Sequence, residues 1–132
     1  MCSKIQYPSS FVAIDGDDVG VTLETLILRD CLADVRVLSQ RITTVVAEIA
    51  VRLEAMGAQI VFVGGDSILA ELPVPDADLA WLHDLPASPC TFSAGVGHNA
   101  MTAYLALRVA KGLGKRRTIH FASLVSNTSR SE

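Results

Sequence analysis

Apolar and polar positions follow two rhythms along this chain. A short apolar run, Phe11-Val12-Ala13-Ile14, stops at Asp15 and predicts a buried strand. Helical sequence follows, first over 20–32 and then through Val35, Leu38, Ile42, Val45, Val46, Ile49, Leu53 and Met56. Three- and four-residue spacing makes the latter set the apolar stripe of a core-facing helix, with Gly57 placed as its C-terminal cap. Runs at 60–63 and 68–72 flank Gly64-Gly65 and predict a hairpin, both glycines supplying the positive φ of a type I′ turn. The stretch 73–89 reads as a connection with one short helix, 76–85, and Trp81 packed inward. Strand 91–96, helix 101–113 and strand 118–122 complete the pattern. The polar tail over 123–132 is expected to fray.

This order predicts an α+β fold: a mostly antiparallel sheet with helices on one face, in a ferredoxin-like or palm arrangement. No repeat or linker divides the chain, so 1–132 reads as one domain with its core at about 11–122. Half the residues are apolar and 19% are charged, which excludes a disordered tail. No apolar run is long enough for a membrane span. The first seven residues carry one Lys and no apolar stretch, unlike a secretory signal. Cys2, Cys31 and Cys90 form no CxxC pair and fit a reducing, cytoplasmic setting. At 5% aromatic content a base-stacking platform is poorly supported, and no binding to a nucleic-acid polymer is expected.

Charge changes the picture. Residues 1–84 hold 13 acids against 5 bases, whereas 85–132 hold 6 bases and one acid. A chain divided this way can hold metal ions with one part and phosphates with the other. The acids cluster at two turns. Asp15-Gly16-Asp17-Asp18-Val19-Gly20 joins a strand to a helix, and Gly64-Gly65-Asp66-Ser67 forms the hairpin tip. In a palm-like sheet the first strand lies beside the hairpin, bringing Asp15 and Asp66 together. Such a pair calls for a cation, and hard oxygen donors suit Mg²⁺ or Mn²⁺ shared with nucleotide phosphates. Either motif alone is commonly just a turn whose Asp bonds local amides. An EF-hand is excluded, since its required Glu would fall at Leu26. Arg108, Lys111 and Lys115 recur at helical spacing and form one basic stripe, which is a solvated face unless a triphosphate lies nearby. Gly95-Val96-Gly97-His98-Asn99-Ala100 matches a dinucleotide fingerprint but lacks the acidic ribose ligand further on.

In this order, the strand end Ile14-Asp15-Gly16-Asp17-Asp18, the Gly-Gly-Asp-Ser hairpin, and Thr91-Phe92-Ser93-Ala94-Gly95-Val96-Gly97 followed by the basic helix resemble a known palm. It is the nucleotidyl-cyclase palm of GGDEF-type diguanylate cyclases and of the type III CRISPR large subunit. The likeness runs over about 11–121 and is strongest to the stand-alone minimal CRISPR polymerases. By that resemblance Asp15, the Gly16 carbonyl and Asp66 bind metal, with Asp15 and Asp66 catalytic and two Mg²⁺ or Mn²⁺ ions accompanying the nucleotide. Amides around Asp17, Asp18, Val19 and Gly20 hold phosphates, as do Lys111 and Lys115. Gly65, Ser67, Arg108 and Arg116 are accessory candidates. Ser67 stands where many CRISPR polymerase palms have a second Asp, so the second ion would depend on Asp17 or Asp18. The two polar guanine-reading positions of diguanylate cyclases fall on Leu23 and Leu32, which favours ATP over GTP. The resemblance implies synthesis of a cyclic oligoadenylate, most simply cyclic di-adenylate, for prokaryotic antiviral signalling through a separately encoded receptor. A homodimer would supply the two nucleotides. The alternatives are a GTP cyclohydrolase-type purine hydrolase on the same palm and a degenerate nucleotide-binding sensor.

Overall fold

The computed structural model describes residues 9–130. The segment read as lacking a secretory signal, with Cys2, lies outside them. Ser10–Gly16 forms β1, Val19–Leu28 α1, Leu32–Ala55 α2, Gln59–Gly64 β2 and Ser67–Leu72 β3. A 3₁₀ helix, Ala80–Asp84, precedes Phe92–Gly97 (β4), Ala100–Gly112 (α3), Thr118–His120 (β5) and Phe121–Arg130 (α4). The sheet order is β2-β3-β1-β4-β5, antiparallel except for the parallel β4–β5 pair that α3 connects. This is the expected α+β palm. Among the described residues no helix is long and apolar enough to cross a membrane.

The core follows from strand alternation. Val12, Ile14, Ile68, Ala70, Leu72, Ala94 and Val96 point to one face, where Ile42, Val45, Val46, Ile49 and Leu53 of α2 bury them. The opposite face carries Ala13 with Ala103 and Leu107 of α3. Helices therefore cover both faces, correcting the one-face expectation. The physical reason is in β4, which is buried on both sides. A Cβ on Gly95 would come within 2.1 Å of the Ala103 carbonyl oxygen, and one on Gly97 within 2.2 Å of Thr102 Oγ1. These glycines let the α3 backbone rest on β4, so the apparent dinucleotide fingerprint is a packing seat. Asn99 caps α3, its side chain accepting from the Thr102 N–H at 2.8 Å while Thr102 answers with a capping box.

Three local expectations change. Gly64 pairs with Ser67, so the hairpin loop is Gly65-Asp66, and of these only Gly65 has positive φ, at 59°. The connection holds a 3₁₀ turn, Ala80–Asp84, rather than a ten-residue helix: Asp78 Oδ1 accepts from the Ala80 N–H at its start, and Pro86 turns Leu85 extended at its end. Trp81 is partly buried against the core there, with the Arg52 guanidinium 4.4 Å from its ring centroid. The last strand stops at His120, and the chain continues as α4 instead of a strand end and frayed tail. Phe121 and Leu124, one helical turn apart, are both partly buried, and α4 packs against α3 and β4.

Candidate active site

β1 delivers the first acidic cluster to the end of the sheet where β3 and β4 begin. Asp15 lies opposite Ser67 on one side and Ser93 on the other. The Gly16 N–H donates to the Asp66 carbonyl at 3.1 Å, which ties the hairpin tip to the end of β1. A side chain at position 16 would press within 3.0 Å of Asp66 Oδ2, so glycine lets the two turns close together. Burial, and then the Asp15 charge, push the Asp66 carboxyl above its ordinary value. Ser67 Oγ donates to Asp15 Oδ1 at 2.6 Å and fixes that carboxylate.

Lys111 enters from α3. Its Nζ donates to the Gly16 carbonyl and to Asp17 Oδ1, each at 2.8 Å, and lies 3.2 Å from Asp15 Oδ2. Burial alone would lower its pKa, but the Asp17 hydrogen bond and the Asp15 and Asp17 charges raise it overall. One fixed cation thus answers two carboxylates and a carbonyl.

Asp17 has a different place from the one its motif suggested. Its side chain is 2% exposed. Besides Lys111, it accepts from Thr91 Oγ1 and Ser93 Oγ at 2.7 Å and from the Arg116 N–H at 3.1 Å. Its own N–H donates to the Thr91 carbonyl at 2.9 Å. Burial pushes the carboxyl up, yet these donors outweigh it and hold the pKa below the usual range. The expectation that Asp17 offers phosphate an amide, or a second metal a carboxylate, is corrected: both groups are already committed. Thr91 and Ser93, which sequence reasoning passed over, hold it there. Their signal was the two hydroxyls alternating along a strand that otherwise reads as core.

Asp18 adopts φ 61° at the N-cap of α1 and pairs through Oδ1 with Lys115 Nζ. Val19 and Gly20 open that helix. Lys115 is not on the α3 stripe, because the helix ends at Gly112 and Lys115 and Arg116 take φ 68° and 50°. It reaches Asp18 from a left-handed turn. Arg116 contributes its N–H to Asp17, while its guanidinium donates to the His83 carbonyl at 3.2 Å, away from the acids. Arg108 remains on α3 and lines a cleft with Asp15, Ser67 and Lys111. Burial pushes the nearby Cys90 thiol up to about 11, which disfavours its thiolate.

The family model of the minimal CRISPR polymerase domain matches residues 11–121. The chain belongs to this family. No curated protein matches it in sequence. Among solved structures it is similar to the GGDEF domain of DgcB from Caulobacter crescentus in complex with c-di-GMP, at 13% identity and TM-score 0.59, over 86% of this chain and 78% of that one. It is also similar to the active GGEEF domain of a diguanylate cyclase from Vibrio cholerae, at 16% identity and TM-score 0.50, over 87% and 83%. At these identities the neighbours establish the fold. The minimal CRISPR polymerase chain thus has the palm fold of these domains.

Among its described residues, no group of three or more His, Cys, Asp or Glu could hold a metal ion. What the site offers is two carboxylates, Asp15 and Asp66, and the Gly16 carbonyl. That set fits a hard divalent cation completing its shell with water and substrate phosphate, as Mg²⁺ does in sites built around a nucleotide.

Proposed function

We propose that this minimal CRISPR polymerase is a Mg²⁺- or Mn²⁺-dependent nucleotidyltransferase that joins ATP into cyclic di-adenylate. The observation that carries the reading is the placement of Asp15 and Asp66 side by side at the Gly16 carbonyl, with a lysine ammonium among them. Asp15, Asp66 and the Gly16 carbonyl would hold a pair of ions. When bound, such ions make a ribose hydroxyl more acidic and neutralise charge developing at the α-phosphorus and on departing pyrophosphate. Ser67 keeps Asp15 oriented for that task. Lys111 and Lys115 supply cations for the triphosphate, and the amides of Val19 and Gly20 at the start of α1 add donors for its terminal oxygens. Leu23 and Leu32 offer guanine no hydrogen bonds, which supports ATP. Because the chain carries one such site and a cyclic dinucleotide needs two nucleotides, the working form is a homodimer with facing sites. The role is cytoplasmic antiviral signalling through a separate receptor.

Incubation with each nucleoside triphosphate and Mn²⁺ or Mg²⁺ tests this. Pyrophosphate release with a cyclic adenylate product is the expected outcome. Formate release from GTP would mark a cyclohydrolase, and binding without turnover a sensor.

A further inference from the structure

The chain leaves α3 through a strained turn. A helix commonly ends on one residue in the left-handed region, most often glycine, and Gly114 with φ 115° fills that place. Here two more follow, Lys115 at φ 68° and Arg116 at φ 50°. Each carries a Cβ that this region disfavours, at a cost comparable with the gain from a hydrogen bond. Ending the helix does not require them, so the surroundings must hold them there.

Partners on several elements do so. The Lys115 N–H donates back to the Ala110 carbonyl at 3.0 Å, and the Arg117 carbonyl accepts from the Ala94 N–H of β4 at 2.9 Å. Between these ties the Arg116 N–H points inward, 3.1 Å from both Asp17 Oδ2 and Ser93 Oγ. Ser93 is fully buried, and its hydroxyl also donates to Asp17 Oδ1 at 2.7 Å. On the outer side the Arg116 guanidinium bonds the His83 carbonyl. This arrangement decides where Lys115 goes. Its side chain turns back to α1 and pairs with Asp18 at the head of that helix. Returning residue 115 or 116 to negative φ would redirect the chain and carry the ammonium away from α1.

We propose that Asp17 and Ser93 are positioning residues for Lys115: by sharing the Arg116 N–H they hold the turn left-handed and keep a cation aimed at the terminal phosphates of a triphosphate. The proposal rests on the nucleotidyl-transfer reading and deepens it. Neither Asp17 nor Ser93 touches the substrate. Each acts through one main-chain N–H, so a buried hydroxyl on β4 tunes phosphate affinity at the start of α1.

The test titrates inorganic tripolyphosphate calorimetrically with Ca²⁺ and reads how far Lys115→Ala weakens binding in each background. Comparing these ratios cancels what a variant does to Lys111 or to stability at large. In the otherwise wild-type chain the loss should be about tenfold, as for a charge-assisted contact. In Ser93→Ala, which removes one acceptor and little volume, it should shrink to about threefold or less. Asp17→Ala removes the other acceptor and should act in the same direction; Ser93→Ala keeps the test open should that chain not fold. Adding Arg116→Gly to Ser93→Ala should restore the loss toward tenfold, because glycine takes positive φ without the Cβ penalty. Hydrogen exchange in the ligand-free protein should show the Arg116 amide protected, and less so in Ser93→Ala. A full tenfold loss persisting in Ser93→Ala would make Ser93 and Asp17 structural residues only and overturn the proposal. So would Arg116→Gly restoring nothing, or an unprotected Arg116 amide in the wild-type chain. A wild-type chain that keeps this amide protected yet binds no tripolyphosphate would remove the nucleotidyl-transfer reading and this proposal with it.

Discussion

At the residue scale, Asp66 and Asp17 answer to different physics. Burial and the Asp15 charge disfavour the charged form of Asp66, whereas Asp17 is held ionised by four donors. Removing charge should therefore act oppositely. Asp66→Asn should abolish turnover with no loss of thermal stability. Asp17→Asn should cost about 3 kcal/mol, because it leaves the Lys111 ammonium partly unpaired in a buried setting. Asp17 also carries a pH signature. Its folded pKa lies below the ordinary aspartate value, so its stabilisation is complete above that ordinary value and is lost as pH falls through the lower, folded one. Urea melts of wild type and Asp17→Asn should converge toward acid. Parallel acid limbs would show that Asp17 is not the anchor. Lys111 makes a second case, since its Nζ bonds the same Gly16 carbonyl assigned to metal. Lys111→Met should lower kcat/KM by about ten- to a hundredfold, the worth of a charge-assisted hydrogen bond. Nucleotide-free Mn²⁺ affinity, read by electron paramagnetic resonance, should rise as the competing cation is removed. Unchanged kinetics would leave Lys111 a structural partner of Asp17 alone.

At the element scale, the position of α3 governs the site. Lys111 reaches β1 because the helix backbone lies directly on β4, and Gly95 makes that approach possible. Gly95→Ala places a methyl group against backbone atoms that cannot rotate away. The loss should be at or above the roughly 1–3 kcal/mol of ordinary overpacking. Activity should fall further than stability alone explains, because a displaced α3 withdraws Lys111 from the acids. A thermal melt of Gly95→Ala that matches wild type would refute this packing argument. Gly20→Ala, at a position with nothing within 4 Å of its added Cβ, is the open-space comparison for the melt.

At the scale of the whole molecule, the proposed ring closure requires two nucleotides while one chain offers one pair of acidic turns. Two chains related by a two-fold axis would provide equivalent sites. Bringing acidic edges together costs repulsion, so the dimer should be weak alone and strengthened by Mg²⁺ with ATP. Activity per chain should fall on dilution, and Asp66→Asn chains mixed into wild type should suppress it beyond simple dilution. Sedimentation as a monomer under turnover conditions, with activity strictly proportional to concentration, would exclude the arrangement.

Much of this protein was written locally. The three-and-four spacing from Val35 to Met56 determined α2, the run ending at Asp15 determined β1, and the two acidic turns supplied the candidate oxygen donors. These are legible because helix and strand periods arise from backbone geometry within a few residues. Partners far along the chain decided the rest. Alternation alone does not say which face a helix will cover, and the depth to which Gly95 admits α3 depends on residues beyond it. Asp17 reads like a ligand beside Asp15, but the hydroxyls of Thr91 and Ser93, brought alongside by strand pairing, bury it as an anchor. Lys115 has helical spacing from Lys111, yet the helix ends first. Phe62 alternates as a core residue until a single bulge reverses its face. Composition and period determine which elements form; register, caps and long-range packing decide which side chains meet, because those energies exist only between segments already folded together.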